Sequence, residues 1–252
     1  MLHIFNSLTG KKERFLHTRK TLNLFVCGPT VYDHAHLGHA RTYLTFDIIV
    51  RYLRSHDYRV FYLQNITDID DRIIDRAKIE NQSSKHLAER FEKEYLEDMA
   101  ALDIRSVDRY ARATEYIAEI QDEIARLIEK GTAYQTKNGI YFEVKKFANY
   151  GKLSRQNLDE LRAGWRTLPD PEKRDPLDFA LWKFSENEPH WESPWGEGRP
   201  GWHIEDTAIA EKIFGSLHYD LHGGGVDLKF PHHECEIAQA ETIAPGRPFV
   251  RL

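Results

Sequence analysis

Thr21-Leu-Asn-Leu-Phe-Val-Cys27-Gly28-Pro29-Thr30 is the stretch on which the fold turns. It begins as a short apolar run rich in strand formers and stops at a cluster of breakers. Downstream, His36-Leu-Gly-His39 leads into residues 40–53, whose apolar spacing suits a helix. A second strand is expected over 58–63, a loop at Gln64-Asn-Ile-Thr67, and helix again from Asp68. Strand, loop, helix, strand, loop, helix is the opening of a parallel α/β sheet. Ligands of such sheets sit at the carboxyl ends of the strands, where both loops lie.

Farther along, the pattern changes. Ile117, Ile120, Ile124, Leu127 and Ile128 form a helical stripe closed by Gly131. Residues 133–144 alternate like a hairpin turning at Asn138-Gly139. An irregular stretch rich in Pro, Trp, Arg and Asp runs to about Pro200. The reading is an insertion over 112–199 in a core made of 1–111 and 200–252. The sheet pattern returns at His218-Tyr-Asp-Leu-His222, followed by Gly223-Gly224-Gly225 and a helix from Pro231. No internal repeat is present.

Composition narrows the class. The chain has 252 residues, 41 % apolar and 30 % charged, which is ordinary for a globular domain. A formal charge of −5 supplies no global basic field for nucleic acid, although a local patch would serve an enzyme that touches RNA briefly. Two cysteines, Cys27 and Cys235, are too few for a disulfide scaffold. No run approaches the roughly 20 apolar residues of a spanning helix, and the first residues do not resemble a secretion signal. The expectation is a cytoplasmic protein, without a membrane partner and monomeric.

Several clusters can carry chemistry. His36 and His39 flank Gly38 at a helix start, where free N–H groups and the helix dipole favour phosphate. Histidines there can donate to phosphoryl oxygens as charge builds; the plainer reading is two surface histidines. Cys27, His232 and Glu236 offer thiolate, imidazole and carboxylate, a sensible zinc set, with 232 and 236 on one helical face. Taken alone, Cys27 reads better as a small buried apolar residue and 232–236 as a polar helix start, so these residues by themselves are a weak signal. Cys235, three residues from His232, is a rival ligand. Three glycines at 223–225 with Asp227 beyond them allow close approach of a ring or phosphate. Thr67 reads as a helix N-cap with acids in the first turn. Gly201-Trp202-His203-Ile204-Glu205-Asp206 sets a Trp and a His beside two acids.

Taken in order, these segments resemble the cysteinyl-tRNA synthetases, a class I aminoacyl-tRNA synthetase family. The resemblance runs through Phe5-Asn6-Ser-Leu-Thr9, Val26-Cys-Gly-Pro-Thr-Val-Tyr-Asp33, His36-Leu-Gly-His39 and Asn65-Ile-Thr-Asp-Ile-Asp-Asp71. It continues through Gly151-Lys-Leu-Ser-Arg155, Asp178-Phe-Ala-Leu-Trp-Lys183, Ser193-Pro-Trp-Gly196, Arg199-Pro-Gly-Trp-His-Ile-Glu205, His222-Gly-Gly-Gly225 and Phe230-Pro-His-His-Glu234. It implies a Rossmann-like parallel sheet with an inserted α+β connective-peptide subdomain. It also implies activation of L-cysteine by ATP with Mg2+, then transfer to the acceptor end of tRNA(Cys). Cys27, His232 and Glu236 fall on zinc positions. Gly28, His36, Gly38, His39, Gly224 and Gly225 fall on the ATP site. Cys27, Thr67, Trp202 and Asp227 fall on the cysteine pocket, and His36 and His39 carry the catalytic signature. Zinc makes sense here: an apolar pocket separates near-isosteres by only roughly 1–3 kcal/mol, whereas an open zinc position rewards sulfur over oxygen.

Two departures qualify the expectation. Where the family usually has a second zinc cysteine, this chain has Asp206, which can ligate through oxygen. The expected set is therefore Cys27, Asp206, His232 and Glu236. The family's lysine-rich second ATP signature and its anticodon-binding region do not occur within the 252 residues, so a truncated chain with weak or no complete aminoacylation is expected. Two other readings stay open: a cysteine ligase acting on an amino sugar, and a synthetase-like binding protein without catalysis. A plain dinucleotide-binding protein is disfavoured because no G-x-G-x-x-G follows the first strand.

Overall fold

The structure, a computed structural model, describes residues 2–15, 21–156 and 171–251. Residues 157–170 of the expected insertion lie outside the described residues. The chain opens with an antiparallel hairpin of β1 (His3–Asn6) and β2 (Lys11–Arg14), which no sequence pattern had indicated. Then β3 (Thr21–Val26) runs into α1 (Leu37–Ser55) and returns as β4 (Arg59–Ile66). The next crossover uses α2 (Asp71–Ile79) and α3 (Ser84–Ala101) before β5 (Arg109–Arg112).

β3 pairs in parallel with β4, β4 with β5, and the late strand β10 (Leu221–Gly223) adds to the other side of β3. The order β10-β3-β4-β5 puts β3 in the middle, so its carboxyl end, Cys27, opens where the neighbouring strands also end. β3 and β4 are buried on both faces, which explains their nearly unbroken apolar runs. α1 closes over the sheet with Tyr43, Val50 and Leu53. Its buried Asp47 accepts from the backbone N–H of Arg105 (3.0 Å) and Ser106 (2.8 Å), tying the helix to the entry of β5.

One expectation is corrected here. Thr67 is not a helix N-cap: α2 starts three residues later than Asp68, and Asp70 caps it by accepting from the Arg72 N–H. Thr67 instead prolongs the strand path by bridging to Thr30, its N–H donating to the Pro29 carbonyl at 3.1 Å. Likewise only Leu221–Gly223 of the expected strand at 218–222 pairs with β3.

After β5 come α4 (Ile117–Glu129) and an antiparallel sheet of β6 (Ala133–Gln135), β7 (Gly139–Phe142), β8 (Phe179–Phe184) and β9 (Gly198–Pro200). Gly139 is needed at the turn because a Cβ there would stand 2.1 Å from the Trp182 carbonyl oxygen. The core continues with α5 (Glu205–Phe214) and α6 (His232–Ile243). Both helices are covered on two sides. Ile204, Ala208, Cys235 and Ala238 pack with Ile120, Leu127, Phe142 and Trp182 of the antiparallel layer. Ile209, Ala210 and Ala240 pack with Phe25, Cys27 and Leu63 of the parallel sheet. No helix among the described residues is long and apolar enough to cross a membrane.

Candidate metal and nucleotide site

The site is assembled where β3, α5 and α6 meet. Cys27 leaves β3, Asp206 is the second residue of α5, and His232 and Glu236 stand one turn apart on α6. One ligand atom from each of the four lies within 4.8 Å of all the others, and all four residues are buried. His232 Nε2 is 3.0 Å from Asp206 Oδ2 and 3.3 Å from Glu236 Oε1. Cys27 Sγ is 3.8 Å from Glu236 Oε1.

The electrostatics call for a cation. Asp206 Oδ1 and Glu236 Oε2 are buried without a hydrogen-bond partner, and such groups are costly unless something positive compensates them. Burial, and then the charges of Glu236 and Asp206, push the Cys27 thiol well above its usual range. Burial, then Asp206, push the Glu236 carboxyl up in the same way. A divalent ion between these atoms reverses both effects, because coordination favours the deprotonated ligand. The residues thus fit zinc by donor type, number and proximity. Second contacts fit as well. His232 Nδ1 meets His203 Nδ1 at 2.9 Å, and a proton on His232 Nδ1 leaves Nε2 bare to ligate. Burial, followed by His232 and nearby lysines, holds the pKa of His203 well below the ordinary range, so its ring is a neutral acceptor.

Cys235 is elsewhere. Its thiol lies 3.2 Å from the Tyr150 hydroxyl inside the antiparallel layer's core, and it joins neither candidate ligand group among the described residues. A second group does exist: Cys27 and Glu236 with His222 and His233. His222 and His233 place Nε2 at 3.5 Å and 3.3 Å from Cys27 Sγ. From the sequence neither histidine takes a ligand role, since His222 reads with the glycines that follow it and His233 abuts a better-spaced neighbour.

The remaining residues surround this centre. The Trp202 ring stacks on His232 at 4.4 Å between centroids, and the Arg72 guanidinium covers Trp202 from 5.4 Å. The Thr67 hydroxyl donates to Glu205, which also receives Asn65 Nδ2 at 3.2 Å. Burial, then the charge of Asp206, raise the Glu205 carboxyl well above its normal pKa. Gly28 is obligatory: its N–H donates to Asn65 Oδ1 at 2.6 Å, and a Cβ would come within 1.7 Å of the Asn65 carbonyl oxygen.

At the start of α1 the two histidines cap the helix reciprocally. His36 Nδ1 accepts from the Gly38 N–H at 3.0 Å, and His39 Nδ1 accepts from the His36 N–H at 3.2 Å. Each Nδ1 is therefore bare, which puts the ring proton on Nε2. The rings lie 4.1 Å apart. Burial and the neighbouring His36 lower the pKa of His39, with Asp227 opposing. Two neutral N–H donors at a helix N-terminus suit an anion. Gly224 runs against the His233 ring, and Gly225 against the carboxylate of Asp227, which is exposed.

Comparison with known proteins places this geometry. Residues 14–252 match the family described as tRNA synthetases class I (C) catalytic domain. The chain belongs to that family. Among curated relatives it is 54 % identical to the cysteine–tRNA ligase of Thermoplasma acidophilum over 251 residues, 99 % of this chain and 55 % of that protein. It is 52 % identical to the cysteine–tRNA ligase of Thermococcus kodakarensis over 252 residues, 99 % of this chain and 52 % of that one. The chain thus spans about half the length of the curated relatives it matches. Among solved structures, Mycobacterium tuberculosis methionyl-tRNA synthetase in complex with methionyl-adenylate superposes with a TM-score of 0.65 at 16 % identity, covering 92 % of this chain and 56 % of that one. A putative arginyl-tRNA synthetase from Campylobacter jejuni gives a TM-score of 0.57 at 13 % identity, covering 89 % and 52 %. These likenesses establish the Rossmann-like fold of the family.

Proposed function

We propose that the chain is the catalytic region of a cysteine–tRNA ligase, and that it selects its amino acid by the sulfur. The observation that carries the reading is the buried Cys27–Asp206–His232–Glu236 set with two unpartnered carboxylate oxygens. Zinc held by these residues would supply a Lewis acid that prefers a substrate thiolate to a serine hydroxyl. Trp202, stacked on His232, would line the pocket, with Thr67, bonded to Glu205, and the exposed acid Asp227 as the further substrate-binding residues.

The chemistry then needs little covalent help. An oxygen of the cysteine carboxylate attacks the α-phosphorus of ATP, a new C–O–P linkage forms, and pyrophosphate leaves with the electrons of the broken P–O bond. His36 and His39 present Nε2–H donors to the phosphoryl oxygens as charge accumulates, without proton transfer. In the second step a hydroxyl of the terminal adenosine of tRNA attacks the carbonyl carbon, and AMP departs. The antiparallel layer, clamped to α2 by Lys183 and Arg199 on Asp71, is the surface available to the acceptor end. Mg2+ accompanies ATP as its phosphate counter-ion.

The test is exchange of labelled pyrophosphate into ATP with cysteine, serine or methionine, together with elemental zinc analysis. Exchange that depends on cysteine, with about one zinc per chain, is the expected result. Absence of exchange with all three amino acids would sink the catalytic reading in favour of a binding protein. Exchange followed by transfer to an amino sugar but not to tRNA would redirect the acceptor.

A further inference from the structure

Cys27 and Glu236 belong to two competing ligand groups, one completed by Asp206 and His232, the other by His222 and His233. Something must decide between them. Tyr219 stands behind His222, with its hydroxyl 2.6 Å from His222 Nδ1. Its ring is 6 % exposed and wedged against Phe25, Phe214 and Phe249, so the hydroxyl has little freedom to turn elsewhere. A phenol buried among apolar rings needs an acceptor for its proton, and the one it meets is His222 Nδ1. His222 is itself held flat against Phe25, the rings 5.6 Å apart and 2° from parallel. A neutral imidazole has one N–H. With Nδ1 accepting from Tyr219, that N–H is at Nε2, facing Cys27 Sγ at 3.5 Å.

We propose that Tyr219 is a positioning residue that locks His222 in the Nε2–H tautomer, barring it as a metal ligand and making it a hydrogen-bond donor to the Cys27 sulfur. That takes one of the four donors from the second group and favours the Asp206–His232 group, where Asp206 Oδ1 is buried without a hydrogen-bond partner. The N–H···S contact also withdraws electron density from the thiolate, leaving more of the ion's Lewis acidity for an incoming sulfur. This inference rests on the metal reading given above.

The experiment is a long-range 1H–15N correlation on the full chain with 15N-labelled histidine, metal-free and zinc-loaded, with His222 assigned by His222→Gln. The expected result is a pyridine-like Nδ1 and a pyrrole-like Nε2 in both forms, with no zinc-induced shift at Nε2 beyond that of a hydrogen bond. Tyr219→Phe is expected to mix the two tautomers, to weaken zinc binding about tenfold, and to move the sulfur-to-metal charge-transfer band of the cobalt-loaded chain. A wild-type His222 protonated at Nδ1, or ligating through Nε2 while one zinc is bound, overturns the inference and leaves the metal reading intact. A wild-type chain that binds no zinc overturns the metal reading instead, whatever tautomer His222 shows. The wild-type spectra decide the matter even if Tyr219→Phe fails to fold.

Discussion

Asp206 and Cys235 divide the roles that the sequence left between them. Residues 235 and 236 lie on either side of the helical direction of His232, so periodicity alone does not choose a ligand on α6. The three-dimensional packing chooses: Tyr150 and the antiparallel layer draw Cys235 outward from the centre, and α5 delivers Asp206 to it. Asp206→Ala is therefore expected to lower zinc affinity at least tenfold, while Cys235→Ala keeps about one zinc per chain. The latter variant instead leaves a small void in a dry core and costs about 1–2 kcal/mol by urea unfolding. Zinc analysis and chelator competition on both variants check the assignment; loss of zinc from Cys235→Ala would reverse it. Thr67 was harder to read. Its capping pattern is genuine as a local signal, but Asp70 answers it three residues later. Glu205, 138 positions away, claims the hydroxyl, and no local pattern shows a contact of that separation.

Single elements follow the same logic. β3 and β4 are legible because a strand buried on both faces has to be apolar nearly throughout. β10 is legible only in part, since the strand expected over 218–222 pairs at Leu221–Gly223, and the β1–β2 hairpin, whose exposed strand β2 is Lys-Lys-Glu-Arg, has no such signature. α1 is legible except for its first turn. The sequence shows histidines at a helix start suited to phosphate; the structure shows them also capping the helix. These two roles separate experimentally. His36→Ala removes both and is expected to cost about 1 kcal/mol of stability and roughly 10²-fold in pyrophosphate exchange. His36→Asp restores an acceptor for the Gly38 N–H, so stability recovers, but it offers no proton to phosphate and exchange stays low. Recovery of exchange by the aspartate would show that capping was the whole contribution.

At the scale of the molecule, the insertion and the parallel sheet share helices, and a buried acid marks the junction. Glu123 of α4 is fully buried and accepts from the Thr207 hydroxyl of α5 at 2.8 Å, while its other oxygen has no partner. Burial pushes its pKa up to about 8. The folded chain thus binds a proton that the unfolded chain releases near its ordinary value of 4.5. The protonated acid fits without penalty below that value. Stability then declines as pH rises from there, and the decline levels off above the folded pKa. Glu123→Gln keeps the Thr207 bond without the charge. Its melting temperature is expected to fall less steeply than that of wild type between about pH 5 and 8, with a difference on the order of a few kcal/mol at the alkaline end. Parallel melting curves across that range would rule the junction out as the cause.

The two-sided burial of α6 has one more implication. On one side the helix brings His232 and Glu236 to Cys27 and Asp206, and on the other it seats Cys235 and Ala238 among residues from the antiparallel layer. Cutting residues 112–199 out as a cassette would strip the backing from the helix that carries His232 and Glu236, so that stretch is not modular in the engineering sense. If zinc binds as proposed, its occupancy becomes a gauge of whether that stretch has folded, readable without substrate, nucleotide or tRNA.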